Sequence, residues 1–154
     1  MLTTLIGASL DQIDTPALLV DIDALRANMA MMASALSERG IGWRPHAKAH
    51  KSPAIATMQL AVGAFGITCA KVSEAEVFAR SGIHDILIAN QVVGPIKTRR
   101  LAHLARFADV MCAVDSLEGA RQLDAAAAEA GTTPRVLIEV DSGMGRAGVR
   151  PGAP

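Results

Sequence analysis

Apolar and polar positions along this chain switch repeatedly between a period of two and a period near 3.6. The run Ala17-Leu18-Leu19-Val20-Asp21-Ile22 is extended and apolar. From about Asp23 the spacing changes, and Leu25, Met29, Met32 and Leu36 fall on one face of a helix that Gly40 stops. Residues 41–48 then predict a strand, and Ser52-Pro53 supplies a cap and a first-turn proline for a helix to about Val62. A strand over residues 66–70 follows. It leads into a helix for which Ser73 and Glu76 have the spacing of a capping box, with Val72 and Val77 as a hydrophobic staple and Gly82 as the stop.

The same alternation continues to the end. Residues 85–90 and 109–114 are nearly all apolar, the pattern of strands buried on both faces. Gly94-Pro95 opens the helix between them, Ser116 opens an alanine-rich helix closed by Gly131, and residues 135–141 give a fifth strand. Strand and helix thus recur every roughly 20 to 25 residues without a linker or low-complexity tract. Such alternation predicts an α/β fold with a parallel sheet and helical crossovers. Two architectures remain open on periodicity: a doubly wound sheet of five strands, or the first part of an eight-stranded barrel. A complete barrel takes about 250 residues, so the 154 residues present favour the open sheet on length alone.

Composition narrows the function more than the fold. With 51% hydrophobic residues the chain can bury a sizeable core, and 15 basic against 15 acidic side chains leave no net charge to attract nucleic acid. Aromatic residues make up only 3%, too few for a base-stacking platform. No run of about 18 uncharged apolar residues predicts a membrane span, and the start lacks a basic region followed by a long apolar one, so a cytoplasmic location without membrane partners is expected. Cys69 and Cys112 each sit in an apolar run, as buried free thiols rather than a disulfide or zinc site.

Candidate chemistry concentrates in Arg44-Pro45-His46-Ala47-Lys48-Ala49-His50-Lys51, where a strand ends and a helix has yet to begin. That is the catalytic edge of α/β folds. If the segment stays extended, His46, Lys48 and His50 share one face. A lysine crowded by cations and partly withdrawn from water has its charged form disfavoured, which frees the amine for Schiff-base formation. Lys48 is therefore the candidate nucleophile, against the plainer reading of a solvated basic loop. Metal ligation by His46 and His50 is disfavoured by Pro45 and by the cations around them.

A second segment, Asp141-Ser142-Gly143-Met144-Gly145-Arg146-Ala147-Gly148, has the glycine spacing of a dinucleotide fingerprint. That reading fails, because Val149-Arg150-Pro151-Gly152 allows no helix after it. What survives is a turn that brings Arg146 to the same strand-end edge as Lys48, free to bind an anionic oxygen or to pair with Glu139 or Asp141. Asn90 and Gln91, also at a strand end, can offer amides to a ligand or simply to loop backbone. His84 and His103 are expected on the surface, and Met29, Met31 and Met32 as helix and core filling.

Four segments together carry a resemblance: Asp14-Thr15-Pro16-Ala17-Leu18-Leu19-Val20-Asp21, the Arg44 to Lys51 stretch, Lys71-Val72-Ser73-Glu74-Ala75-Glu76, and Asp141 to Gly148. The chain resembles the pyridoxal-phosphate-dependent enzymes of the alanine racemase-like fold, within them the D-threonine aldolase and D-serine dehydratase group. The tract of residues 85–94 looks more like the aldolase branch. The resemblance implies a partial (β/α) barrel, not closed, with residues 23–154 as a truncated cofactor-binding domain. Residues 1–22 would join a β domain completed by a carboxy-terminal part. It implies Lys48 as the lysine that holds pyridoxal phosphate, Arg146 near the phenolic oxygen, and His46 and Gln91 as further cofactor contacts. A β-hydroxy-D-amino acid would be cleaved to glycine and an aldehyde. A divalent metal is expected in the full-length family with ligands outside this chain, and a homodimer in the full-length form. With five strands and no carboxy-terminal domain, the chain is expected to be a fragment with little activity alone. A dehydratase-like or racemase-like enzyme, a non-catalytic cofactor carrier and a flavodoxin-like binding domain are the alternatives.

Overall fold

The structure is a computed structural model that describes residues 5–152. Its centre is a four-stranded parallel sheet: β1 (Ile67–Cys69), β2 (Asp85–Gln91), β3 (Asp109–Val114) and β4 (Arg135–Ile138), hydrogen-bonded in the order β1-β2-β3-β4. Five helices accompany it: α1 (Ile22–Ser37), α2 (Pro53–Ala61), α3 (Val72–Arg80), α4 (Pro95–Leu104) and α5 (Leu117–Ala130). Strands neighbouring in sequence are neighbours in space, so every crossover steps in one direction. A doubly wound sheet must reverse its strand order at a switch point, and this one does not. The flavodoxin-like alternative is thereby set aside in favour of an arc of a barrel.

The arc begins one position before β1. Residues 41–48, expected as a regular strand, form only isolated parallel bridges, Trp43 to Ala64 and His46 to Thr68. The reason is local. Pro45 has no amide to donate, although its carbonyl accepts from Thr68 N at 2.8 Å, and Ala47 N donates to Thr68 O at 2.8 Å before the chain turns. The expected five strands are four strands plus this extended segment. Residues 17–21 form no strand, and Leu18, Leu19 and Val20 are exposed.

Most helix boundaries follow the local signals. Ser52 accepts from Ile55 N with Pro53 in the first turn, Ser116 accepts from Gly119 N, and Gly131 ends α5 in the left-handed region. Asp21 caps α1 by accepting from Asp23 N and Ala24 N. Helix α3 departs from expectation: it starts at Val72 with Lys71 as an N-cap that makes no side-chain hydrogen bond. Ser73 therefore lies inside the helix, Glu76 binds Arg100 instead (Nη2 to Oε2, 2.5 Å), and Val77 is exposed rather than stapled to Val72.

The core lies between the sheet and α3, α4 and α5. Ile67 and Cys69 from β1, Ile86 and Ile88 from β2, and Val110 and Cys112 from β3 point to this side with Phe78, Ile83 and Leu101. Fully burying each large apolar side chain contributes about 1.5–3 kcal/mol. At the opposite end from the strand termini, charges cross the sheet at the strand starts. Arg44 pairs with Asp85 at 2.9 Å and lies over Phe65 at 4.5 Å, while Arg135 reaches both Asp85 (3.3 Å) and Asp109 (2.6 Å). Gly66 makes room for this: a β-carbon there would lie 2.4 Å from Arg44 Nη1 and 2.6 Å from Asp85 O. The outer edge is different. In β4, Val136, Leu137 and Ile138 are 49%, 47% and 74% exposed, and no further strand covers them among the described residues.

Candidate active site

All strands run parallel, so the segments that follow them share one edge, and each candidate residue lies on it. Lys48 follows the extended segment beside β1, Gln91 ends β2, and Arg146 follows β4.

The Lys48 segment does not stay extended. Residues 47–50 turn, closed by Lys51 N donating to Ala47 O at 2.8 Å. Ala47 is buried against the core, whereas His46, Lys48 and Ala49 are exposed. The turn thus replaces the expected common face by a compact presentation of Lys48. His46 lies against its base: its Nδ1 accepts from Lys48 N at 3.2 Å. His50 Nδ1 accepts likewise from Ser52 N at 3.0 Å, and its Nε2 is buried. Each histidine thus spends one ring nitrogen on backbone, which opposes joint metal ligation through those atoms.

Both rings are held below their ordinary pKa. For His46 the cause is first withdrawal from water and then the charge of Lys48, opposed by Glu74. For His50 it is burial, opposed by the Ser52 backbone and the Gln59 side chain. Near neutral pH they are uncharged neighbours of an amine. Lys48 itself makes no side-chain hydrogen bond and no ion pair among the described residues, in contrast to Lys51, whose Nζ pairs with Glu74.

Gln91 and Arg146 are organised from the other side. Gln91 Nε2 donates to Glu139 Oε2 at 2.5 Å, tying the end of β2 to the chain just past β4. Beyond it, Asp141 Oδ1 accepts from Gly143 N and Gly145 N, both at 3.0 Å. The Gly145 amide, then that of Gly143, holds the Asp141 carboxyl below its usual range. Asp141 N donates to Val149 O and Val149 N to Glu139 O, each at 2.9 Å, which closes the loop at its root. Gly148 must be glycine there, with a φ of +98° and a β-carbon position 2.6 Å from Asp141 N. Arg146 stands exposed on this loop. It pairs with neither Glu139 nor Asp141, and among the described residues no hydrogen bond or ion pair joins it to Lys48.

Sequence reasoning missed Glu139 as the partner of Gln91 and Glu74 as the partner of Lys51. Both contacts span more than 20 residues, which periodicity does not register. The thiols behave as expected: Cys69 and Cys112 are free and buried, and burial pushes them up to about 12 and about 11. His84 is exposed with Nδ1 at 2.9 Å from Phe107 O, and His103 is exposed on α4. No described helix is long and apolar enough to cross a membrane.

Residues 20–154 match the family model described as alanine racemase, N-terminal domain. The chain is 47% identical over 143 residues to a D-threonine aldolase of an Arthrobacter species, covering 93% of this chain and 38% of that protein. It is 41% identical over 145 residues to the 3-hydroxy-D-aspartate aldolase of Paracoccus denitrificans, again 93% and 38%. The crystal structure of D-threonine aldolase from Filomicrobium marinum superposes with a TM-score of 0.90 at 47% identity, over 93% of this chain and 39% of that one. The chain thus spans a little over a third of the length of these relatives. With its parallel arc of consecutive strands and its match over most of its length, this chain belongs to the alanine racemase N-terminal domain family.

Proposed function

We propose that this chain is the amino-terminal part of a pyridoxal-phosphate-dependent lyase that cleaves a β-hydroxy-D-amino acid to glycine and an aldehyde. The observation that carries the reading is Lys48: an exposed amine without an acidic partner among the described residues, presented by a closed turn at the strand-end edge. The two aldolase relatives, alike over 93% of the chain, support the reaction class.

The residues present fit part of the cofactor. Lys48 would hold it through its free amine, with uncharged His46 beside that lysine and Arg146 and Gln91 at the same edge as donors for its oxygen atoms. When bound, pyridoxal phosphate supplies a sink for the negative charge left on the α-carbon. The chain's own residues bind and orient. His46, neutral near pH 7, accepts from Lys48 N at Nδ1, so its Nε2 carries the ring hydrogen and can donate a hydrogen bond. Arg146 is a fixed cation for an anionic oxygen. Among the described residues no three His, Cys, Asp or Glu side chains group to hold a metal, so no step is assigned to one, and the divalent ion of the reading would take ligands beyond this chain. The uncovered β4 edge supports the further reading that the isolated chain has little turnover and that a carboxy-terminal part completes the barrel. A cytoplasmic location and a homodimer of the longer protein belong to the same proposal.

The test is chemical. Folded chain incubated with pyridoxal phosphate, reduced with borohydride and peptide-mapped should carry the label on Lys48, and Lys48→Ala should lose both the label and the yellow colour. A label elsewhere, or none, on folded chain overturns the reading. With a completed barrel, glycine and aldehyde are the expected products, whereas a keto acid and ammonia would indicate a dehydratase.

A further inference from the structure

We infer that Glu74 is a positioning residue for Lys48, clamping the turn of residues 47–51 to the start of α3. The inference rests on the reading of Lys48 as the residue that takes the cofactor's aldehyde.

The turn is fastened at its entrance and needs a second fastening at its exit. At the entrance Ala47 is 1% exposed and donates to Thr68 O, so the chain cannot shift along β1. At the exit Lys51 closes the turn onto Ala47 O with a φ of +50°, the one positive φ at a described residue other than glycine. A side chain disfavours that conformation, which persists only where surrounding contacts enforce it. The contact available is Glu74. Its side chain is 10% exposed; one carboxylate oxygen pairs with Lys51 Nζ and the other accepts from Ala70 N at 2.8 Å. One carboxylate thus joins the end of β1, the first turn of α3 and the last residue of the Lys48 turn. Burial alone would raise its pKa, but the Lys51 and Ala70 hydrogen bonds outweigh it and keep the carboxylate charged. The same charge opposes the lowering of the His46 pKa, so the clamp also touches the neutral ring under Lys48.

Glu74 has a plainer duty as well, because the Ala70 bond satisfies an amide just before α3. Lys51→Met separates the two: it removes the ion pair and leaves the Ala70 bond intact. Two measurements on the full chain decide the matter, the rate of borohydride-trapped pyridoxal phosphate incorporation at Lys48, and amide hydrogen exchange over residues 47–51 without cofactor. Far-UV circular dichroism and the melting curve serve as controls. Glu74→Gln and Lys51→Met should each slow labelling of Lys48 and speed exchange of the Lys51 amide by about tenfold. Lys51→Arg, which preserves the ion pair, should stay near wild type. If Glu74→Gln does not fold, Lys51→Met decides. Wild-type exchange in folded Lys51→Met overturns the clamp. If exchange accelerates but labelling at Lys48 is unaltered, the turn is held by Glu74 without bearing on reactivity, and the positioning role is overturned. Wild-type chain that never labels at Lys48 sinks the cofactor reading instead, while the exchange measurement still decides whether Glu74 holds the turn.

Discussion

The pKa of His46 is lowered although the ring is exposed, because it lies between partial burial and the Lys48 charge. His50 is lowered as well, chiefly by burial. Both therefore bind a proton more readily in the unfolded chain, whose histidines titrate near the ordinary value of 6.5. Stability is then greatest above about pH 7 and declines as pH falls through 6.5 toward the folded values. Glu74 and Glu76 have the opposite protonation chemistry but push in the same direction. Their folded pKa values lie below the ordinary 4.5, so their contribution holds above that value and is lost as pH falls through the folded ones. Melting temperature should accordingly drop in two stages on acidification, and NMR titration should place both histidines below 6.5. A flat profile between about pH 7 and pH 5.5 would contradict this account. The place of Lys48 just past an extended segment was legible in the sequence, whereas its presentation was not: the turn depends on a bond from Ala47 to Thr68, more than 20 residues away.

Helix ends show how far local chemistry reaches. Ser52-Pro53, Gly94-Pro95, Ser116 and Gly131 marked boundaries correctly because each acts on backbone within four residues. Ser116→Ala should therefore lower stability by about 1 kcal/mol, seen as a shift in the denaturant midpoint. The expected capping box in α3 had the correct spacing and yet did not form. Lys71 takes the cap position directly off β1, and Glu76 is drawn to Arg100 on α4, 24 residues on. Tertiary charge pairing outcompeted a local motif there. The expected strand at 41–48 failed for a related reason, since hydrophobic alternation says nothing of the missing amide at Pro45. Packing beneath these elements is steeper in energy than their ends. Phe78, 1% exposed under α3, should cost about 3–5 kcal/mol when replaced by alanine.

An arc of four strands has two unequal edges. Beside β1 the extended segment and its bridges give partial cover, whereas β4 exposes three consecutive apolar residues and a ladder that no strand among the described residues pairs. Such an edge invites association. Ile138→Lys should reduce concentration-dependent self-association, measured by sedimentation, with the melting temperature nearly unchanged. Joining the chain to the remaining part of an aldolase relative should bury that edge and raise the melting temperature, and turnover should appear only in the fused protein. Periodicity disclosed the alternating elements but not whether they close, because an open sheet and a barrel arc share one pattern; the consecutive strand order settled it. At the opposite face, Asp85 is shared by Arg44 from one side and Arg135 from the other. Deleting that carboxylate would leave the half-buried Arg44 without its acidic partner on the floor of the arc, while Arg135 keeps Asp109. A genetic screen begun from Asp85→Ala should therefore recover suppressors at Arg44 that discard its positive charge, turning a packing detail into a pattern of compensating change.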